Sequence, residues 1–265
     1  LGIKIIPKSN PKDLPQFIEL YKKLISNQIP ESNYNELYKW ETFQHFKDNW
    51  RDNHDVSNIL QNFNDSFNRD NNNLWSGSHY LPLKMLKHCG NDRPEKISEM
   101  MHHLFDENKD LHERMHYFET SAQQILDETY PNENWDHYQS RRAMMLYLSL
   151  KFPEKYFIYK NGMFNDFCKI SNFWPSFGKA NKKDYSVIDE FLQMCSKVKE
   201  ILIQDEELLE LHNKRIPEGI DINDDYNLLT QDFIYAVSTY LKPTNQKNIE
   251  PITQDEERLV YILSL

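Results

Sequence analysis

Glycine is scarce in this chain, at 6 of 265 residues. Tight turns and phosphate-cradling loops draw on glycine for close backbone approach and for left-handed backbone, so the shortage disfavours nucleotide-binding folds and favours helix. No G-x-G-x-x-G and no G-x-S-x-G occurs. "SFGKANKK" (176–183) has the lysine of a phosphate loop but Phe173 where the first glycine belongs and no hydroxyl after Lys179. Cysteine is rarer still. Cys89, Cys168 and Cys195 are odd in number and form no C-x-x-C, which excludes a disulfide framework and a zinc ribbon and fits buried fillers in a reducing compartment. Long hydrophobic runs are missing: "AMMLYLSL" (143–150) falls far short of the roughly 20 apolar residues that span a bilayer. With no signal peptide at its start, the chain is expected to be a soluble, cytoplasmic protein with no membrane partner.

Acidic residues dominate, giving a net charge of −10, but the charge is segregated. Residues 139–183 hold nine basic side chains against two acids, Glu154 and Asp166, and carry +7. The remainder has 22 basic and 39 acidic residues, or −17. A protein that needed charge only for solubility would not sort it in this way.

Helical periodicity runs through most of the sequence. Residues 13–26 place Leu14, Phe17, Ile18, Tyr21, Leu24 and Ile25 on one stripe after a capping Asp13. Further amphipathic segments are expected at 35–50, 55–68, 80–90 (stopped by Gly90), 91–107 (capped by Asp92 with Pro94 in its first turn), 109–128, 184–203, 205–213 and 228–241. "HYQSRRAMMLYLSLKF" (137–152) is apolar nearly all round after Arg142, the pattern of a central buried helix ended by Pro153. "KYFIYKNG" (155–162) is the best strand or extended segment, closed by an Asn-Gly turn. The expectation is an all-α, irregular multi-helix domain of about eight to ten helices with at most one short strand or hairpin. It divides into an N-terminal helix with its lead-in (1–33), a helical specificity or docking domain (34–241), and a linker into a further domain (242–265), where "RLVYILSL" runs out without a polar finish.

Two patterns could carry chemistry. In "LHERMH" (111–116), His112-Glu113-Arg114-Met115-His116 matches H-E-x-x-H, with both histidines on one helical face to ligate zinc and a glutamate to activate water. Against it, Arg114 puts a cation inside the motif and no glycine-anchored third histidine follows. Both histidines also stand one position beyond the Leu111/Met115 core stripe, so they read equally as a solvated flank. A zinc hydrolase is one alternative, and His112 and His116 are its candidate ligands.

The second pattern is the basic window, where cations interleave with aromatics from Tyr147 to Phe177. Cations engage phosphates while exposed rings stack on unpaired bases. Rings at helical spacing are core, so the candidates are the cations and the loop ring: Arg141, Arg142, Lys155, Lys160, Trp174, Lys179, Lys182 and Lys183. Trp135, also in loop-like surroundings, is the other ring to test for exposure.

"LYKWETFQHFKDNW" (37–50), "LFDENKDLHERMHYF" (104–118), "HYQSRRAMMLYLSLKFPEKYFIYK" (137–160) and "LTQDFIYAV" (229–237) together resemble the helical region that precedes the motor in McrB-like AAA+ proteins, the GTP-driven subunits of modification-dependent (type IV) restriction systems. The resemblance covers about residues 34–241, and its third block is the most specific. It implies a non-catalytic N-terminal module of an anti-phage defence protein. Such a module recognises target DNA, plain or modified, or docks another protein, for a fused motor that recruits a separate nuclease subunit. The chain has no Walker loop, so GTP and magnesium are expected only for that missing motor. No enzyme activity and no cofactor is expected of these residues. A protein-interaction module without DNA contact is the other alternative, served by the acidic "DEELLE" (205–210).

Overall fold

The computed structural model describes residues 13–29, 34–52, 56–67, 74, 81–176 and 184–242. Among them are eleven α-helices, a 3-10 turn at Val56–Asn58 and no strand, so the all-α expectation holds. None of these helices is long and apolar enough to cross a membrane.

Helix α1 (Leu14–Ile25) starts where Asp13 accepts the Gln16 N–H at 3.2 Å, and it buries the expected stripe. Next come α2 (Tyr38–Asn49), α3 (Ile59–Phe67), α4 (Pro82–Asp92) and α5 (Pro94–Phe105). They are followed by α6 (Leu111–Thr129), α7 (Arg141–Lys151), α8 (Asn161–Ser171), α9 (Ser186–Leu202), α10 (Glu206–Arg215) and α11 (Asn227–Thr239). Helix α2 packs on α3 and α7, α5 on α6, and α8 and α9 on α11, while α1 lies against α10 and α11. One continuous core includes residues from α1 to Leu241.

Helix α7 is the central element its sequence announces: every side chain from Ala143 to Leu150 is buried. Helix α11 is a second such element, buried continuously from Asn227 to Ile234 despite its polar residues.

Four local expectations are narrowed or corrected. "KYFIYKNG" pairs with no strand. Tyr156, Phe157 and Tyr159 instead turn into the core between α7 and α8, since a lone strand in an all-helical chain has no ladder to join. Its Asn-Gly pair, expected to close a turn, opens α8. Met163, Phe164, Phe167, Cys168 and Ser171 form that helix's buried face, and it ends at Asn172 in the left-handed conformation (φ 50°). Gly90 does not stop α4. It lies inside the helix at a close approach to α3, where a Cβ would meet Leu60 Cδ2 at 2.7 Å. The helix ends two residues later, because Pro94 begins the next one and cannot extend α4. Asp92 is therefore the last residue of α4 rather than the cap of α5.

Candidate functional site

The H-E-x-x-H helix resolves first. Asp110 caps α6, accepting the N–H groups of His112 (2.9 Å) and Glu113 (3.1 Å). The residue that faces the interior is Arg114, only 2% exposed. It donates to the Leu104 carbonyl (2.9 Å), Glu107 (2.5 Å) and the Tyr156 hydroxyl (2.7 Å). His116 and Glu113 are exposed, and His112 Nε2 stands 2.9 Å from Asp189 of α9. Among the described residues no group of three or more His, Cys, Asp or Glu side chains is placed to hold a metal ion.

Among the described residues, the cations of the basic window do not form a single patch. Lys155 pairs with Glu107 and lies over the Tyr156 ring, and Lys151 pairs with Asp52 at 2.5 Å. Both lysines are answered by acids from outside the window. Trp174 is half-buried against the core beside Phe173, whereas Trp135 is 44% exposed, packed beside His88 and Tyr130. Lys179, Lys182 and Lys183 lie outside the described residues.

Three of the predicted cations do converge. Arg141 and Arg142 occupy the first turn of α7 and Lys160 the N-cap of α8, 18 residues further on. Arg142 and Lys160 line a cavity of about 470 Å³, and Arg141 and Arg142 line a second of about 410 Å³, so the two adjoin at Arg142. No acid stands in the first turn of α7, where the helix dipole disfavours cations, and Arg142 donates to the Leu74 carbonyl at 3.4 Å. The loop that delivers them is held firmly. Gln139 donates to the carbonyls of Pro82 and His137, both at 2.8 Å, and accepts the Tyr147 hydroxyl at 3.0 Å. Its own N–H donates to His137 Nδ1 at 2.9 Å; burial lowers the His137 pKa and favours the neutral ring that this bond requires. Arg141 reaches the Asp184 carbonyl at 2.6 Å, tying α7 to the start of α9. Among the described residues no carboxylate pairs with Lys160.

Behind the larger cavity lies a charge cluster that sequence reasoning missed. Asp232 of α11, 0% exposed, accepts from Tyr21 (2.7 Å), Tyr34, Lys39 (3.1 Å) and Arg215 (2.7 Å). Lys39 also meets Glu36 at 3.1 Å, and Glu36 accepts the Tyr240 hydroxyl at 3.1 Å. Two acids thus balance two bases. Burial alone would raise the Asp232 pKa, but Lys39 and Arg215 outweigh it and hold the carboxyl well below its usual range. Burial pushes both Tyr21 and Tyr34 up, which keeps them as neutral donors. The only sequence signal was "LTQDFIYAV" itself, in which an acid and an amide interrupt an otherwise apolar helix.

The chain is thus an all-α domain with a cation-rimmed, tyrosine-lined cavity between α2, α7, α8 and α11. Compared with protein-family models, curated proteins and solved structures, it matches none.

Proposed function

We propose that the chain is a non-catalytic recognition module that binds DNA. Its setting would be the N-terminal region of an McrB-like AAA+ GTPase, as its sequence resemblance implies. The observation that carries the DNA reading is the convergence of Arg141, Arg142 and Lys160 on two adjoining cavities from opposite ends of a buried aromatic segment. Cations at a helix start, beside tyrosines and an amide, suit a sugar-phosphate strand with bases at hand. The lysine-rich segment with Lys179, Lys182 and Lys183 follows α8 in the chain. Lys155 and Trp174 are left out, one engaged by Glu107 and the other packed on the core. GTP, magnesium and the nuclease subunit would belong to the motor.

Docking of a protein partner on acidic α10 is the weaker reading. Glu207 and Glu210 are already paired with Lys22 (2.8 Å) and Lys214 (2.6 Å). Zinc hydrolysis is weaker again, since the interior position of the motif holds an arginine.

Fluorescence anisotropy with labelled single- and double-stranded DNA, plain and cytosine-modified, at two salt concentrations tests the proposal. Affinity is expected to fall with rising salt by about 0.7 to 0.9 log units per log unit for each phosphate engaged. Arg142→Ala/Lys160→Glu and Lys179→Glu/Lys182→Glu/Lys183→Glu should each weaken it. Absence of binding at low salt would sink the DNA reading and turn attention to protein partners.

A further inference from the structure

The larger cavity holds more than cations. At its inner wall Gln231 of α11 is only 3% exposed, and its Oε1 has no hydrogen-bond partner among the described residues. The amide Nε2 has only the Met163 sulfur at 4.0 Å, a weak acceptor. A buried amide left this way costs stability, and an apolar residue of the same shape would relieve the cost. Folding therefore gives no reason for glutamine here, whereas a ligand offering a donor beside an acceptor does.

The remaining walls specify the ligand's shape. Tyr38 is half-buried on the cavity wall, and no described ring packs against its face. Leu146, Ile158 and Met163 supply apolar surface. Lys39 is committed to Glu36 and Asp232, so the charge an anion would meet at the solvent side comes from Lys160, with Arg142, which also donates to the Leu74 carbonyl at 3.4 Å, lining the same cavity. At about 470 Å³ the space lies within the range of roughly 300 to 1,000 Å³ usual for small-ligand sites.

We propose that this cavity takes a single nucleotide. The base enters with its plane along Tyr38 and its hydrogen-bonding edge on the Gln231 amide, and the phosphate rests on Arg142 and Lys160. A nucleobase edge supplies the adjacent donor and acceptor that the amide lacks, and the attached phosphate supplies the charge for the rim. The assignment rests on the DNA reading and deepens it. The nucleotide comes either from an unpaired position in a strand or from solution as a free monophosphate.

The test uses 2-aminopurine as the base, whose emission reports stacking. Four probes are titrated: a single-stranded oligonucleotide with one central 2-aminopurine, the same strand with an abasic site there, a duplex with the 2-aminopurine mispaired, and the free 2-aminopurine nucleoside monophosphate. Variants are Gln231→Met, Tyr38→Ala and Lys160→Glu, with thermal melts as the folding control. The expected result is a change of emission on binding and weaker binding of the abasic strand. Gln231→Met should weaken the intact strand by about tenfold while leaving the melting temperature equal or higher, as loss of one hydrogen bond from a relieved amide requires. Binding of the oligonucleotide with unchanged emission, equal affinity for the abasic strand and no effect of Gln231→Met would overturn the nucleotide pocket and leave the DNA surface standing. Binding of the free monophosphate alone, lost in Gln231→Met, would keep the pocket and overturn the DNA reading. Binding of no probe at low salt would overturn both.

Discussion

His212 is a side chain whose protonation the fold resists. It is buried against Trp40, with ring centroids 5.5 Å apart, and its Nδ1 has no partner among the described residues. Burial, helped by the Arg215 charge, lowers its pKa from 6.5 to about 4. The unfolded chain therefore takes up a proton as pH falls below 6.5, while the folded chain refuses it until about 4. Stability contributed by the neutral ring is complete above 6.5 and drains away across that interval. The protein should be roughly 2 kcal/mol less stable at pH 5 than at pH 7 from this residue. Urea titrations at the two pH values check this, and His212→Phe, which keeps the ring packing, should remove most of the difference. Asp232 acts further down the scale. Its depressed pKa stabilises the fold above the unfolded carboxyl value of 3.8, and that stability is lost as pH falls below it. Asp232→Asn leaves Lys39 and Arg215 in the interior with Glu36 alone to balance them. It should cost about 3–5 kcal/mol at neutral pH, read from the shift in urea midpoint.

At the level of the helix, α6 shows what a motif match is worth. The pattern H-E-x-x-H was plain in the sequence, as was the Leu111/Met115 stripe. Burial of Arg114 was not, because its partners Glu107 and Tyr156 lie on the preceding turn and on the segment after α7. Asp110→Ala removes the cap and should destabilise the protein by about 1 kcal/mol without touching any ligand-facing residue, measurable as a small drop in melting temperature. Periodicity found α1 to α7 and α9 to α11 well, since their apolar stripes repeat at helical spacing. It lost α8, whose start coincides with Asn161-Gly162, a pair that reads locally as a turn. Only packing of Phe164 and Phe167 against Phe191 and Phe233 shows why the helix prevails there.

Over the whole molecule the segregated charge has two fates. Lys151 and Lys155 are drawn to acids far away in sequence, while Asp166 inside the window is taken by Lys242 at 2.6 Å. Counting residues along the chain located the cations but could not say which ones the fold would consume, nor that Arg142 and Lys160 would share a cavity. A direct comparison follows. Lys155→Ala should change stability by no more than about 1 kcal/mol, as for an exposed ion pair, and should leave DNA affinity nearly intact. Lys160→Glu should lower affinity severalfold and flatten its salt dependence. Anisotropy and melting curves on the same two proteins separate these outcomes, and the reverse pattern would exchange the roles of the two lysines.

The unbroken burial of Ala143–Leu150 has a consequence for time as well as for energy. Amide hydrogens in such a segment reach solvent only when the whole domain opens, so α7 should be among the slowest regions to take up deuterium, with protection approaching the free energy of global unfolding. Arg141 and Arg142 project from the first turn of that same helix. Their backbone is anchored before any ligand arrives, so a strand that binds there has little protein motion to arrest. Association should then proceed in one kinetic phase, without a slow step of rearrangement behind it.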